Sequence, residues 1–102
     1  MIKNIYAMYD KQVGSYLAPL TLETDAEAIR VFTTWVNADD KQNNVSLYPE
    51  HFSMWKLGTV DTTSGNLETE QKELITGNAC KVSKKKYTIE DLIKIIGERQ
   101  NA

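Results

Sequence analysis

The sequence predicts an α+β domain: a small, mostly antiparallel sheet with a central β-hairpin and two helices packed on one face. Three observations carry that expectation. Two capped amphipathic segments begin at Thr24 and Thr88. Runs rich in Ile, Tyr, Phe and Trp lie before and between them, and "DTTSGN" punctuates the longest of these runs. Helices with one apolar stripe each need a sheet to cover. At 102 residues the chain reads as a single domain, 1–102, with one modest core. A 41% hydrophobic and 25% charged composition excludes the disordered class.

In order along the chain, "IKNIYAMYD" is apolar on both sides of the alternation, the pattern of a strand buried on two faces. "KQVGSYLAPL" follows as irregular chain marked by Gly14 and Pro19. Thr24-Asp25-Ala26-Glu27 is a capping box, in which the Thr24 hydroxyl accepts from the Glu27 amide and the Glu27 carboxylate reaches back. Beyond it Ala28, Ile29, Phe32, Trp35 and Val36 form an apolar stripe, with Arg30, Thr33, Thr34 and Asn37 on the other side. This helix ends in the polar loop "NADDKQNN".

Pro49 lacks an amide donor and restricts the residue before it, which suits a strand entrance. "FSMWKLGTV" is then a strand, and "DTTSGN" is a turn in which Asp61 bonds nearby amides and Gly65 takes a positive φ. "NLETEQ" returns as a short, charged edge strand. "KELITGNACKVSK" fits a further strand, broken at Gly77, with Leu74, Ile75, Ala79 and Val82 as its inward positions. Thr88-Ile89-Glu90-Asp91 opens the second helix, where Tyr87 staples onto Leu92 and Ile89, Leu92, Ile93 and Ile96 form the stripe.

Several chemistries are set aside. With one histidine and one cysteine, a closed zinc site of Cys/His ligands has too few donors. His51 adjoins Glu50, but neighbours on a strand point to opposite faces. Cys80 has no nucleophile motif around it and reads as packing, in a chain that suits a reducing compartment. The five glycines are scattered singly rather than gathered in a phosphate loop. No enzyme activity, cofactor or metal is expected. No run approaches the roughly 20 apolar residues of a membrane span, nor does the N-terminus carry a signal-peptide pattern.

Net charge is −2 but unevenly placed: residues 1–80 hold 6 Lys/Arg against 11 Asp/Glu, and residues 81–102 hold 6 against 3. The basic excess centres on Lys81, Lys84, Lys85 and Lys86. These lysines read either as a solvated linker or as phosphate contacts on a nucleic acid. Tyr9, Tyr48 and Trp55 are the candidates for surface rings, with Lys3, Lys11 and Lys56 nearby in sequence. Aromatic sheet faces flanked by lysines stack the bases of single strands. The ordinary alternative for each ring is the core, and Trp35, on the helix stripe, is assigned there.

Taken together, "IYAMYDKQVGSYLAPL", "TDAEAIRVFTTWVN" and "YPEHFSMWKLGTVDTTSGNLE" resemble the small nonstructural protein of gokushoviruses, a Microviridae branch of single-stranded DNA phages. In that family a strand carrying IYDxKAxxY precedes AxRxFxxxVN, and a Pro-Glu segment then enters LYxLGxFDxxTG. The matching positions here are Tyr9, Asp10, Lys11 and Tyr16, then Ala28, Arg30, Phe32, Val36 and Asn37. Tyr48, Pro49, Glu50, Phe52, Trp55, Leu57, Gly58, Asp61 and Gly65 continue the match. Val60 stands where the family often has Phe. The resemblance covers about residues 2–70 and does not reach the basic segment and second helix at 81–99.

The resemblance implies a replication-stage phage protein outside the virion, of a kind often labelled DNA-binding, acting in the bacterial host cytoplasm. Arg30 is a motif residue of the helix's polar side, with an ion pair to a carboxylate as its structural alternative. The expected partners are single-stranded DNA or a phage or host replication protein, with no membrane. A homodimer is expected because strand 2–9, apolar on both faces, wants cover. The rival reading is a homodimeric interaction module that binds a phage or host protein and no nucleic acid.

Overall fold

The computed structural model describes residues 1–82. They form an α+β fold around one antiparallel five-stranded sheet. Strand β1 is Ile2–Asp10, β2 Ser15–Tyr16 and β3 Leu20–Leu22, and helix α1 is Asp25–Val36. Helix α2, Asn44–Leu47, and a 3-10 turn, Pro49–His51, lead into β4, Phe52–Asp61. Strand β5, Leu67–Thr76, runs directly into the helical turn α3, Gly77–Cys80. The expected second helix over 88–99 and most of the basic segment lie outside the described residues.

The sheet order is β2-β1-β4-β5, with β3 also paired to β1, so β1 is central. Its expected burial on two sides is what the structure shows: Tyr6 and Ala7, consecutive and therefore on opposite faces, are both 0% exposed. Its backbone edges are paired by β4 on one side and by β2 and β3 on the other.

The core lies on the face that holds Tyr6 and Met54, where Ala28, Phe32 and Val36 of α1, Val45 of α2 and Phe52 are buried together. Leu17, Leu22, Leu74, Ile75 and Cys80 close its margins. Helix α1 starts as its capping box directs: Thr24 Oγ1 accepts from the Glu27 amide at 3.2 Å. The Glu27 carboxylate accepts from Glu23 N, at 3.2 Å, one residue beyond the position the motif specifies. The helix ends at Asn37, whose amide N–H reaches Thr33 O.

Three sequence expectations are corrected. Trp35 is 48% exposed rather than in the core. The buried stripe is narrower, centred on Ala28, Phe32 and Val36, and Trp35 sits at its shoulder in the last turn, facing a loop rather than the sheet. "KQVGSYLAPL" contains β2 and the first residue of β3, strands too short to show a period. The polar loop "NADDKQNN" leads, as expected, out of α1, and its end opens the helical turn α2, capped by the Asn43 side chain, which accepts from Val45 N at 3.0 Å. "KELIT" continues β5 rather than starting a new strand, and Gly77–Cys80 is helical where an extended chain was expected.

The β4–β5 hairpin stands as the sequence predicts, with Gly65 at φ +79° in its turn. Asp61 Oδ1 accepts from Thr63 N at 2.9 Å there. A β-bulge interrupts β4: Ile5 faces Gly58 but Tyr6 faces Lys56, so Leu57 is the extra residue.

Candidate nucleic-acid interface

Opposite the core face, alternation places Tyr9 of β1 and Trp55 of β4 on one side of the sheet, and β2 adds Tyr16 directly across from Tyr9. The three rings touch one another. Tyr9 and Tyr16 have centroids 4.9 Å apart at 57°. Trp55 meets Tyr9 edge-on at 6.4 Å and Tyr16 at 6.3 Å and 88°. Such tilted pairs are the arrangement the ring quadrupole favours.

The platform is fixed from below. Ala7 and Ser53, small residues of the same face, are 0% and 1% exposed. The Trp55 indole Nε1–H donates to Ser53 Oγ at 2.8 Å, which holds the plane of the ring. Above the rings, no helix packs among the described residues. Tyr16 is the outermost ring, Tyr9 and Trp55 are half-buried, and Leu57, turned by the bulge, lines a depression with Tyr16, Thr69 and Gln71.

Tyr9 and Trp55, two of the sequence's candidates for surface rings, come together on this face half-buried, and Tyr16 joins them. The signal for Tyr16 was its distance from Tyr9 across Gly14: a turn there, with Gly14 at φ +76°, folds the second tyrosine onto the first. Tyr48 is separate from this cluster; it caps α2 and stacks on His51 at 5.5 Å and 15°.

The cations divide. Lys11 is exposed in the turn immediately beyond Tyr9. Lys56 pairs with Tyr6 in register, so it lies on the opposite face, where its ammonium meets the Glu70 carboxylate at 3.4 Å. Arg30 is exposed on α1 and makes no ion pair among the described residues. Lys81 is structurally engaged: its ammonium donates to Val36 O at 3.0 Å and Ser46 O at 3.1 Å, at the carbonyl ends of α1 and α2. A cation at these C-termini also offsets the helix dipole. Asn37 fastens the same segment, donating from Nδ2 to Cys80 O and accepting at Oδ1 from Val82 N. Lys84, Lys85 and Lys86 lie outside the described residues.

Residues 49–51 form a 3-10 turn rather than strand, so Glu50 and His51 do approach, at 3.9 Å, contrary to the alternation argument. Their side chains stand at the surface, and no group of three His, Cys, Asp or Glu residues able to hold a metal occurs among the described residues. Burial pushes the Cys80 thiol up, which disfavours the reactive thiolate. Tyr6 is raised as well, first by burial and then by the Asp25 carboxylate that accepts its hydroxyl proton at 2.6 Å. No helix among the described residues is long and apolar enough to cross a membrane.

These features define the class: a small α+β domain with one helix-covered sheet face and one bearing an open aromatic platform. The family model described as phage ORF5 protein matches residues 3–82, and the chain belongs to this family of bacteriophage proteins. No curated protein and no solved structure matches it.

Proposed function

We propose that this is a nonstructural, non-enzymatic protein of a gokushovirus-like single-stranded DNA phage that binds single-stranded DNA during genome replication or packaging. The observation that carries the reading is the Tyr9–Tyr16–Trp55 cluster, three mutually supporting rings on a sheet face that no described helix covers. Bases stack on such rings with little regard to sequence, because every base presents a π-face. Lys11 supplies a cation beside the platform, and Lys84, Lys85 and Lys86, which lie outside the described residues, are the further candidate phosphate contacts that the sequence offers. Membership of a phage family supports the setting.

The test is binding of an unstructured oligo-dT across a salt series. Replacing Tyr16 or Trp55 by Ala is expected to cost about 1–3 kcal/mol per ring and leave the salt slope nearly unchanged. Changing Lys84, Lys85 and Lys86 together to Ser is expected to flatten that slope by up to about 2, at roughly 0.7 per phosphate contact. Absence of binding even at low salt overturns the reading.

The second reading, a homodimeric interaction module without nucleic acid, draws on the same open face, since an aromatic patch also buries well against another protein surface. It expects sedimentation as a dimer whose association weakens on Tyr16→Ala and a protein that ignores oligo-dT.

A further inference from the structure

On the core side of the sheet, away from the aromatic platform, a cleft of about 450 Å³ opens between the end of β1, the last turn of α1 and the loop before α2. Its apolar floor is Leu17, Val45 and Phe52, and Trp35, Asp10 and Asp40 stand around it. A second depression on the other side of the indole shares Trp35, Asp40 and Asn43. Trp35 is thus left 48% exposed, a large ring that the helix periodicity assigns to the core. The backbone at Trp35 is tied to the loop, where Asn43 Nδ2 donates to the Trp35 carbonyl at 3.1 Å.

The charged residues that line the two depressions have one sign. No lysine or arginine lines either depression among the described residues, and neither Asp10 nor Asp40 has an ion-pair partner among them. Each carboxylate is oriented by its own turn through one oxygen only. Asp10 Oδ1 accepts from Gln12 N at 2.9 Å and Asp40 Oδ1 from Gln42 N at 2.9 Å. The second oxygen of each accepts no hydrogen bond from the described residues. An exposed indole with carboxylates beside it is suited to a guanidinium or ammonium, which gains a cation–π contact from the ring and charge-assisted hydrogen bonds from the acids. It is unsuited to a phosphate, which the same carboxylates repel.

We infer that the Trp35 cleft docks an arginine- or lysine-bearing segment of a second protein. Arginine fits best, because its planar fork stacks on an indole and donates two parallel hydrogen bonds to a carboxylate. The protein then has two faces of opposite preference, an aromatic platform on one side of the sheet and a cation-accepting cleft on the other. This inference does not depend on the platform's ligand.

The test uses the full chain and the capped pentapeptide Gly-Arg-Ser-Arg-Gly, with its neutral citrulline counterpart as control, followed on the two tryptophan indole N–H resonances. The arginine peptide is expected to shift the Trp35 signal saturably and leave Trp55 in place, and the citrulline peptide to shift neither. Asp40→Asn and Asp10→Asn keep the oxygen that each turn uses and remove the charge. Each is expected to weaken binding about two- to five-fold, and Trp35→Leu by a similar factor. Equal binding of the citrulline peptide, or no loss on Asp40→Asn, overturns the inference. If changing Lys84, Lys85 and Lys86 together to Ser tightens peptide binding several-fold, the chain's own lysines compete for the cleft, and a separate partner is the wrong occupant.

Discussion

Gly58 is the position where one added methyl group should damage the sheet most. Its φ of +154° is one that side-chain-bearing residues rarely adopt. A Cβ built there overlaps the Glu68 carbonyl oxygen of β5 and lies 3.0 Å from its carbon and 3.1 Å from Thr69 Cα. All three obstacles are backbone, so no rotamer change relieves them. Backbone strain of about 1–3 kcal/mol then adds to overpacking of about 1–3 kcal/mol. Gly58→Ala is therefore expected to cost on the order of 2–6 kcal/mol, a large part of a small domain's stability. Gly65 is the internal comparison: its φ is +79° and nothing lies within 4 Å of the added Cβ. Gly65→Ala carries only the left-handed backbone cost, about 1–2 kcal/mol. Urea unfolding of the two variants separates the terms. If Gly58→Ala loses no more stability than Gly65→Ala, the close approach of β4 and β5 beside the bulge is wrong, and with it the placement of Leu57 next to Tyr16.

Two further outcomes probe the frame around the site. Lys81→Met removes a cation from the Val36 and Ser46 carbonyls and is expected to cost about 1 kcal/mol in thermal unfolding; an unchanged midpoint would mean that Lys81 is not a structural cap. Tyr6, whose folded pKa is raised by burial and by Asp25, contributes stability that is fully present below the ordinary tyrosine value of about 10. That contribution is lost as pH rises through the higher folded value, because the native state then holds a proton that the unfolded chain has released. Unfolding measured between neutral and strongly alkaline pH should show this fall, and Tyr6→Phe should reduce it; an identical pH profile in the variant would refute the buried Tyr6–Asp25 contact.

The elements that were legible in the sequence are those with a long period or a defined local chemistry. Helix α1 announces itself through Thr24 and Glu27, and the hairpin through Asp61 and Gly65, because caps and turns are settled by neighbours in sequence. Strands β2 and β3 were not legible: two or three residues show no alternation, and their pairing is decided by β1. Trp35 was misplaced because a stripe gives an angle around the helix but not what stands opposite its last turn. The site was half visible. Tyr9 and Trp55 follow from alternation, whereas Tyr16 requires the Gly14 turn to be folded first. The lysines separate only in three dimensions, where Lys56 meets Glu70 across the far face, Lys81 caps two helices, and Lys11 remains beside the rings.

The platform is tested most directly by titrating the protein with oligo-dT at low salt while following the indole N–H resonances of Trp35 and Trp55. Stacking of bases on the ring cluster should move the Trp55 resonance saturably, reverse as salt is raised, and leave Trp35 where it was. A Trp55 resonance that stays fixed while the oligonucleotide binds elsewhere, or no binding at all, would contradict a nucleic-acid role for the Tyr9–Tyr16–Trp55 face.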